Sequence, residues 1–358
     1  MKNITGNQIQ LTIFGESHSE LMGITINGFP CGIKIEEEFI NQHLQLRQPS
    51  YPFNTSRNEK DQFEIVSGVF NNYSTGMPIT IIIPNKNQNS KEYNSETIRP
   101  SHCDYSTKIK YQNYNDYRGG GAFSGRLSAL LVAAGSIFIN VLQQKNINII
   151  THIYQYNDLI DEIDMNNLPN YDKTDNLVVF DPIMKEQIIN NLLQLQDDSH
   201  GATLQTIITN LPVGIGEPYF DSFESHLSSL IFSIGGVKGI SFGLGFDFAH
   251  QLGSTSNDEF YYDENQNIKT FTNNNGGING GITNGMPVYF KTAIKPTPSI
   301  SKIQKTINLT TKQNTNIKIE GRHDRFLPNR IIPVINALSA FAICDLGIEA
   351  FGKEWLKS

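Results

Sequence analysis

The chain is poor in cysteine and nearly empty of tryptophan, with three Cys and one Trp in 358 residues. Cys31, Cys103 and Cys344 stand far apart with no CxxC spacing, which excludes a disulfide framework and a thiolate zinc site. No metal is expected. An excess of positive charge is also missing: 28 Lys and Arg face 35 Asp and Glu, a formal net charge of −7. Nothing therefore draws the whole molecule to nucleic acid or to an anionic membrane, and neither is expected as a partner. The longest apolar run, residues 129–142, falls short of the roughly 20 residues that span a bilayer. The opening Met-Lys-Asn-Ile-Thr lacks the positive–apolar–small pattern of an export signal, so the expected location is cytoplasmic. GxxxxGK[ST] is absent, as is a GxGxxG after a strand with its acidic partner, which excludes a P-loop and a dinucleotide fold. There is no internal repeat and no Pro/Ser linker, so residues 1–358 are expected to form one large domain.

Alternation at Ile9, Leu11 and Ile13 predicts a strand ending at Phe14, then the turn Gly15-Glu16-Ser17-His18. Phe39, Ile40, His43, Leu44 and Leu46 form the inward face of a helix expected over 33–47. A buried strand is expected at 79–84, ended by a polar loop over 85–96, and the longest helix at 124–144. Further helices are expected at 182–196, 222–234 and 329–346, a strand at 203–210, and a loop through the Asn- and Gly-rich 265–285. Strands and helices alternate without repeated βαβ spacing. The expected fold class is α+β, not a doubly wound sheet.

The most distinctive stretch is Tyr117-Arg118-Gly119-Gly120-Gly121-Ala122-Phe123-Ser124-Gly125-Arg126. Three glycines let backbone N–H groups approach an anion, a helix starting near Ser124 adds donors and dipole, and arginines at both ends add charge. That reads as an anion pocket. Gly15-Glu16-Ser17-His18-Ser19 puts a histidine at a strand end, either as an exposed acid–base imidazole or as a solvated turn residue. Arg99-Pro100-Ser101-His102-Cys103-Asp104-Tyr105 holds a second histidine, whose ring Asp104 could orient. Gly321-Arg322-His323-Asp324-Arg325 sets two arginines beside a carboxylate: a surface salt-bridge cluster, or an ionised group ready to take a proton. The glycine-rich 275–285, followed by Lys295-Pro296-Thr297-Pro298-Ser299, is a second backbone cradle or simply a flexible loop. A phosphate-ester hydrolase built on His18 and His102 would need a metal cluster or a nucleophile beside a base, and no such spacing occurs.

Separately ambiguous, these motifs are informative in order. GESH, RPxH, RGGGxxSxR, DSxGA, LPxGxGEP, VKGxxFGxGF, NxxGGIxGGIxNG, KPTxSI and GRHD run through residues 15–324, and the chain resembles chorismate synthases from about residue 8 to 346. The resemblance implies an α+β sandwich of helices and sheets, usually a homotetramer. It implies elimination of phosphate from 5-enolpyruvylshikimate 3-phosphate, the last common step toward aromatic amino acids, with reduced FMN required. Arg47, Arg126 and Arg330 match positions that hold the substrate's two carboxylates and phosphate, a task suited to guanidinium forks. His18 matches the residue that protonates the departing phosphate, and His102 the one that protonates flavin near N1. Asp324 matches the group that helps deprotonate flavin N5, with Ser17 as a relay. FMN contacts are implied at Ala122, Phe123, Ser124, Gly235, Gly236, Gly281, Lys295, Pro296, Thr297, Pro298, Ser299 and Arg322.

The chain also departs from the family pattern. Ala122 and Phe123 stand where Arg and Ser are usual, and Pro298 replaces a hydroxyl residue. Pro52 and Phe53 occupy a loop that in some members carries a second arginine for NADPH, and Leu252 replaces an arginine. The expectation is an active enzyme with weakened FMN affinity, served by NADPH only indirectly through a separate reductase. The alternative is a flavin- or anion-binding relative whose catalysis has lapsed.

Overall fold

The computed structural model describes residues 2–55, 60–86, 96–165, 167–319, 321 and 323–357. Two five-stranded sheets face each other across a double layer of helices. The first sheet contains Gln10–Gly15, Leu21–Asn27 and Ile79–Pro84, with Ile4–Thr5 and Glu64–Ser67 at its edges. The second contains Asn148–Tyr156, Ala202–Thr209 and Val288–Ile294, flanked by Val237–Phe242 and Leu159–Ile160. Every pairing in both sheets is antiparallel, as the irregular alternation of elements required.

Each sheet buries one face, and the sequence encodes which. Met22, Ile24 and Ile26 alternate on one strand and Ile79, Ile81 and Ile83 on its neighbour, all fully buried. Their shared face lies against the helix Ser128–Gln144, so burial follows the period of two. The helix Pro328–Phe351 covers the second sheet in the same way and crosses the first helix directly. At the crossing a Cβ on Gly135 would lie 2.2 Å from the Cβ of Ala337. Only small residues allow this approach, so the glycine serves packing here rather than backbone freedom.

Several boundaries differ from expectation. The first helix is Glu37–Leu46, starting four residues late. Ile33 and Ile35 are buried with Lys34 exposed, and this stretch pairs with residues 72–74 through Ile35 N–H to Asn72 O and a bridge from Lys34 to Tyr73. The α-helix expected at 124–144 begins at Ser128, because Ser124 is extended and caps a 3₁₀ turn by accepting Arg126 N–H. It is not the longest. That is Pro328–Phe351, 24 residues, which continues past Leu346. Residues 265–285 are not all loop, since Ile268–Thr270, Ile278–Asn279 and Ile282–Thr283 form short hairpin strands. Two helices, Gly125–Gln144 and Pro328–Phe351, are long and apolar enough to cross a membrane, contrary to the reading from apolar runs. Their most apolar windows are 67% and 94% buried inside the fold, and core packing accounts for them.

Candidate active site

The strand Gln10–Gly15 delivers residues 16–19 to the first sheet's end. The expected exposed imidazole is not exposed: His18 is 5% accessible, and Ser17 is fully buried. The glycine triplet covers them. Gly119, Gly120 and Gly121 all have positive φ (59°, 87° and 53°), the left-handed region that side chains avoid. Gly121 O accepts the Ser17 N–H at 3.2 Å. A Cβ on Gly119 would lie 2.3 Å from His18 Cε1 and 2.7 Å from Ser17 Oγ, and one on Gly120 3.8 Å from His102 Cε1. The triplet thus runs between the two histidines. Its glycines are needed as much to admit imidazoles as to expose N–H groups.

His102 is oriented as the sequence suggested. Its Nδ1 lies 2.6 Å from Asp104 Oδ1, while Arg99 grips the same carboxylate through Nε (2.8 Å) and Nη2 (2.7 Å). Burial alone would raise the Asp104 carboxyl, but hydrogen bonds from Arg99 and His102 outweigh it and hold it well below the ordinary range. Against an ionised carboxylate Nδ1 carries the proton, which leaves Nε2 on the side of Gly120. His102, Cys103 and Asp104 offer metal-ligand atoms within 4.8 Å of one another. Arg99 Nη2, 3.1 Å from His102 Nδ1, puts a cation where an ion would sit.

The two arginines that bracket the triplet are already paired. Arg118 forks Asp116, with Nε on Oδ1 and Nη2 on Oδ2 at 2.8 Å each, so this end contributes little net charge. Arg126 is buried and its Nη1 contacts Asp61 Oδ1. Asp61 Oδ2 also lies 3.5 Å from Arg47 Nη2, Arg47 O accepts Arg330 Nε at 3.0 Å, and Arg330 Nη1 meets Asp324 Oδ2 at 2.5 Å. Asp324 Oδ1 accepts the Thr55 N–H at 2.9 Å. The carboxylate expected between Arg322 and Arg325 is therefore held by Arg330, one helical turn into Pro328–Phe351. The Arg325 backbone is engaged elsewhere, with its N–H on Phe53 O. Asn85 joins the two halves of the site: its Oδ1 takes Arg126 Nε at 3.4 Å, and its Nδ2 donates to Glu16 O and Ser19 O. Sequence reasoning missed Asp61, Asn85 and Asp116, since none lies in a motif whose chemistry stands out.

Of the expected cofactor contacts, several lie together. Lys295 N–H donates to Gly236 O at 2.9 Å, and Lys295 Nζ to Ser101 O at 2.7 Å, which ties both segments to the His102 loop. Thr297 O accepts Ser199 Oγ, Ser299 is buried, and Pro296 is exposed with Pro298 half-buried. A Cβ on Gly235 would meet nothing within 4 Å. Ala122 and Ser124 flank the triplet, and the Phe123 ring rests against Tyr111 at 6.2 Å. Gly281 is accounted for by packing, since a Cβ there would meet Glu217 O and Ser222 Cβ at 2.7 Å. Arg322 lies outside the described residues. Among described residues, the Oγ of Ser17 and the Oγ1 of Thr297 are buried without a hydrogen-bond partner. Such orphans are costly unless a ligand satisfies them, and a flavin edge rich in N and O atoms fits these residues.

The chorismate synthase family profile matches residues 9–348. Chorismate synthases of Methanococcus aeolicus and Dehalococcoides mccartyi are each 40% identical, over 97% and 98% of both chains respectively. That of Methanocaldococcus jannaschii is 38% identical over 98% of this chain and 97% of its own. A crystal structure of chorismate synthase superposes with a TM-score of 0.73 at 24% identity, covering 99% of this chain and 96% of that one.

Proposed function

The chain belongs to the chorismate synthase family, and from that membership we propose how its residues serve the 1,4-anti elimination of phosphate from 5-enolpyruvylshikimate 3-phosphate. The enzyme is a carbon–oxygen lyase of the shikimate pathway. The observation that carries the assignment of roles is the placing of His18 and His102 on either side of Gly119-Gly120, joined through Asn85 to the cluster of Arg47, Arg126 and Arg330. The three arginines hold the substrate's phosphate and two carboxylates. His18, buried in the turn beside the triplet, gives its proton to a phosphate oxygen as the C–O bond breaks, so the leaving group departs less highly charged. His102 keeps Nδ1–H on Asp104 and presents Nε2 as its working nitrogen. Asp324, fixed by Arg330 and Thr55, takes up the proton, with Ser17 Oγ as relay. Reduced FMN, when bound, supplies transient electron density to the substrate and a place for the ring hydrogen. Ser17, residues 122–124, Gly235, Gly236 and Lys295 to Ser299 would hold it, with water excluded from the enclosed charges. A cytoplasmic homotetramer is the proposed working form.

With photoreduced or dithionite-reduced FMN, the purified chain is expected to release phosphate and chorismate together. NADPH without a reductase is expected to give none under anaerobic conditions. Phe53, in the loop where some members carry a second arginine for NADPH, is fully buried between Tyr51 (5.0 Å, stacked) and Phe326 (6.2 Å), and it offers a 2′-phosphate no cation. Flavin spectral changes without phosphate release would mean lapsed catalysis, and NADPH oxidation coupled to chorismate would overturn the dependence on a reductase.

The missing cation at position 122 is expected to be measurable. Ala122→Arg restores a charge-assisted hydrogen bond of about 1.5–3 kcal/mol, and the FMN Kd with substrate present should fall about tenfold or more. An unchanged Kd by flavin fluorescence titration would show that Ala122 lies away from the flavin phosphate.

A further inference from the structure

Two of the three arginines assigned to the substrate share one carboxylate inside the protein. Asp61 contacts Arg126 Nη1 through Oδ1 and lies 3.5 Å from Arg47 Nη2 through Oδ2. The three side chains are 2%, 6% and 6% exposed for Asp61, Arg126 and Arg47. Guanidinia held this close away from water repel one another, and the repulsion is strongest where solvent screens least. Arg47 registers it. Burial pushes its pKa down to about 10, with Asp61 pulling it back up and Arg330 and Arg126 pushing it further down. Its Nε is buried and has no hydrogen-bond partner among the described residues, so part of this fork is left for an anion that those residues do not provide. Among the described residues, Arg47 and Arg126 meet the Asp61 carboxylate and Arg330 meets that of Asp324.

We propose that Asp61 is a positioning residue for substrate binding, a resident counter-ion that holds Arg47 and Arg126 side by side and leaves Arg47 Nε for the substrate's anions. The identity of those anions rests on the function proposed above; the holding of the guanidinia does not. Asp61 touches no reacting atom. Its loss should therefore act on binding far more than on the chemical step. Removing one partner from a buried charge cluster leaves the others uncompensated, and here those others are the residues that grip the substrate.

The test is Asp61→Asn in the full chain, read by a crystal structure without substrate and by steady-state kinetics with reduced FMN. The Arg47 and Arg126 guanidinia are expected to part, and KM for 5-enolpyruvylshikimate 3-phosphate to rise roughly tenfold or more, while kcat at saturation falls by no more than about threefold. Guanidinia that stay in place, or an unchanged KM, would overturn the proposal. A wild-type chain that turns over no substrate, with guanidinia that part in the variant, would support the positioning role and sink the function instead. If Asp61→Asn does not fold, Asp61→Glu decides, since it keeps the charge: KM within about threefold of wild type is expected, and a tenfold rise would show that charge is not what matters.

Discussion

Gly119→Ala is expected to lower kcat by about 10²- to 10⁴-fold, the range lost when a general acid is removed, although the residue carries no functional group. Its φ of 59° and ψ of 14° would cost alanine only about 1–2 kcal/mol. The larger effect is steric. The new methyl would sit 2.3 Å from His18 Cε1, 2.6 Å from Nδ1 and 2.7 Å from Ser17 Oγ, all inside contact distance. The ring cannot step back freely, because Ser17 N–H is tied to Gly121 O and Asn85 Nδ2 holds the carbonyls of Glu16 and Ser19. The imidazole must rotate out of register with the phosphate we propose it protonates, and misplacement of this order costs orders of magnitude in rate. Gly125→Ala is the control, since a Cβ there meets nothing within 4 Å, and its kcat should hardly change. Steady-state kinetics on both variants, with folding checked by circular dichroism, decides the matter. Wild-type turnover in Gly119→Ala would remove His18 from the proton transfer.

The largest effect on stability is expected at Asp345, far from any motif. This fully buried carboxylate in Pro328–Phe351 accepts the N–H groups of Gln8 and Ile9 on Oδ1 at 2.7 Å and of Asn7 on Oδ2 at 2.8 Å. His226 Nε2 lies 3.3 Å from Oδ2. Asp345 thereby anchors the chain just before Gln10–Gly15, the strand that presents His18. Asp345→Asn turns an acceptor into an NH₂ facing other donors, and the unfolding free energy should fall by about 3 kcal/mol or more.

Burial alone would raise the Asp345 carboxyl, but the His226 contact and the N–H groups of Ile9 and Asn7 outweigh it and hold it below the ordinary range. A depressed carboxyl stabilises the fold at pH values above its unfolded value near 3.9 and loses that contribution as pH falls through the folded value. The gap between wild type and Asp345→Asn should therefore be full at pH 7 and shrink as the pH drops below about 4. Urea unfolding at both pH values measures it. A gap below about 1 kcal/mol at pH 7, the size of a single ordinary hydrogen bond, would show that the carboxylate is not the anchor.

The strand Ile79–Pro84 was legible to the residue, because alternating isoleucines state which face is buried. The strand Ala202–Thr209 and the helices Pro182–Gln194 and Phe223–Ile231 were legible to within a few residues. Where Lys34 is drawn into pairing with Tyr73, a contact with another segment moved the boundary, whereas at Ser124 a local cap on Arg126 N–H did so. For the candidate site, the sequence offered a set of residues but not their arrangement. Asp104 beside His102 was readable because they are two residues apart. Arg330 on Asp324 was not foreseen, because the two are brought together only where the chain enters the helix Pro328–Phe351.

Taken alone, the sequence determined the α+β class and the family, and it named the histidines, arginines and carboxylate proposed for the site, since these are written in local period and in motif order. Tertiary structure alone decided that His18 is buried, that Gly119 makes room for its ring, and that Arg126 is paired with Asp61. The physical reason is range. Backbone periodicity and capping are set by neighbours a few residues away, whereas desolvation and charge pairing depend on which distant segments the packed layers bring within a few ångströms.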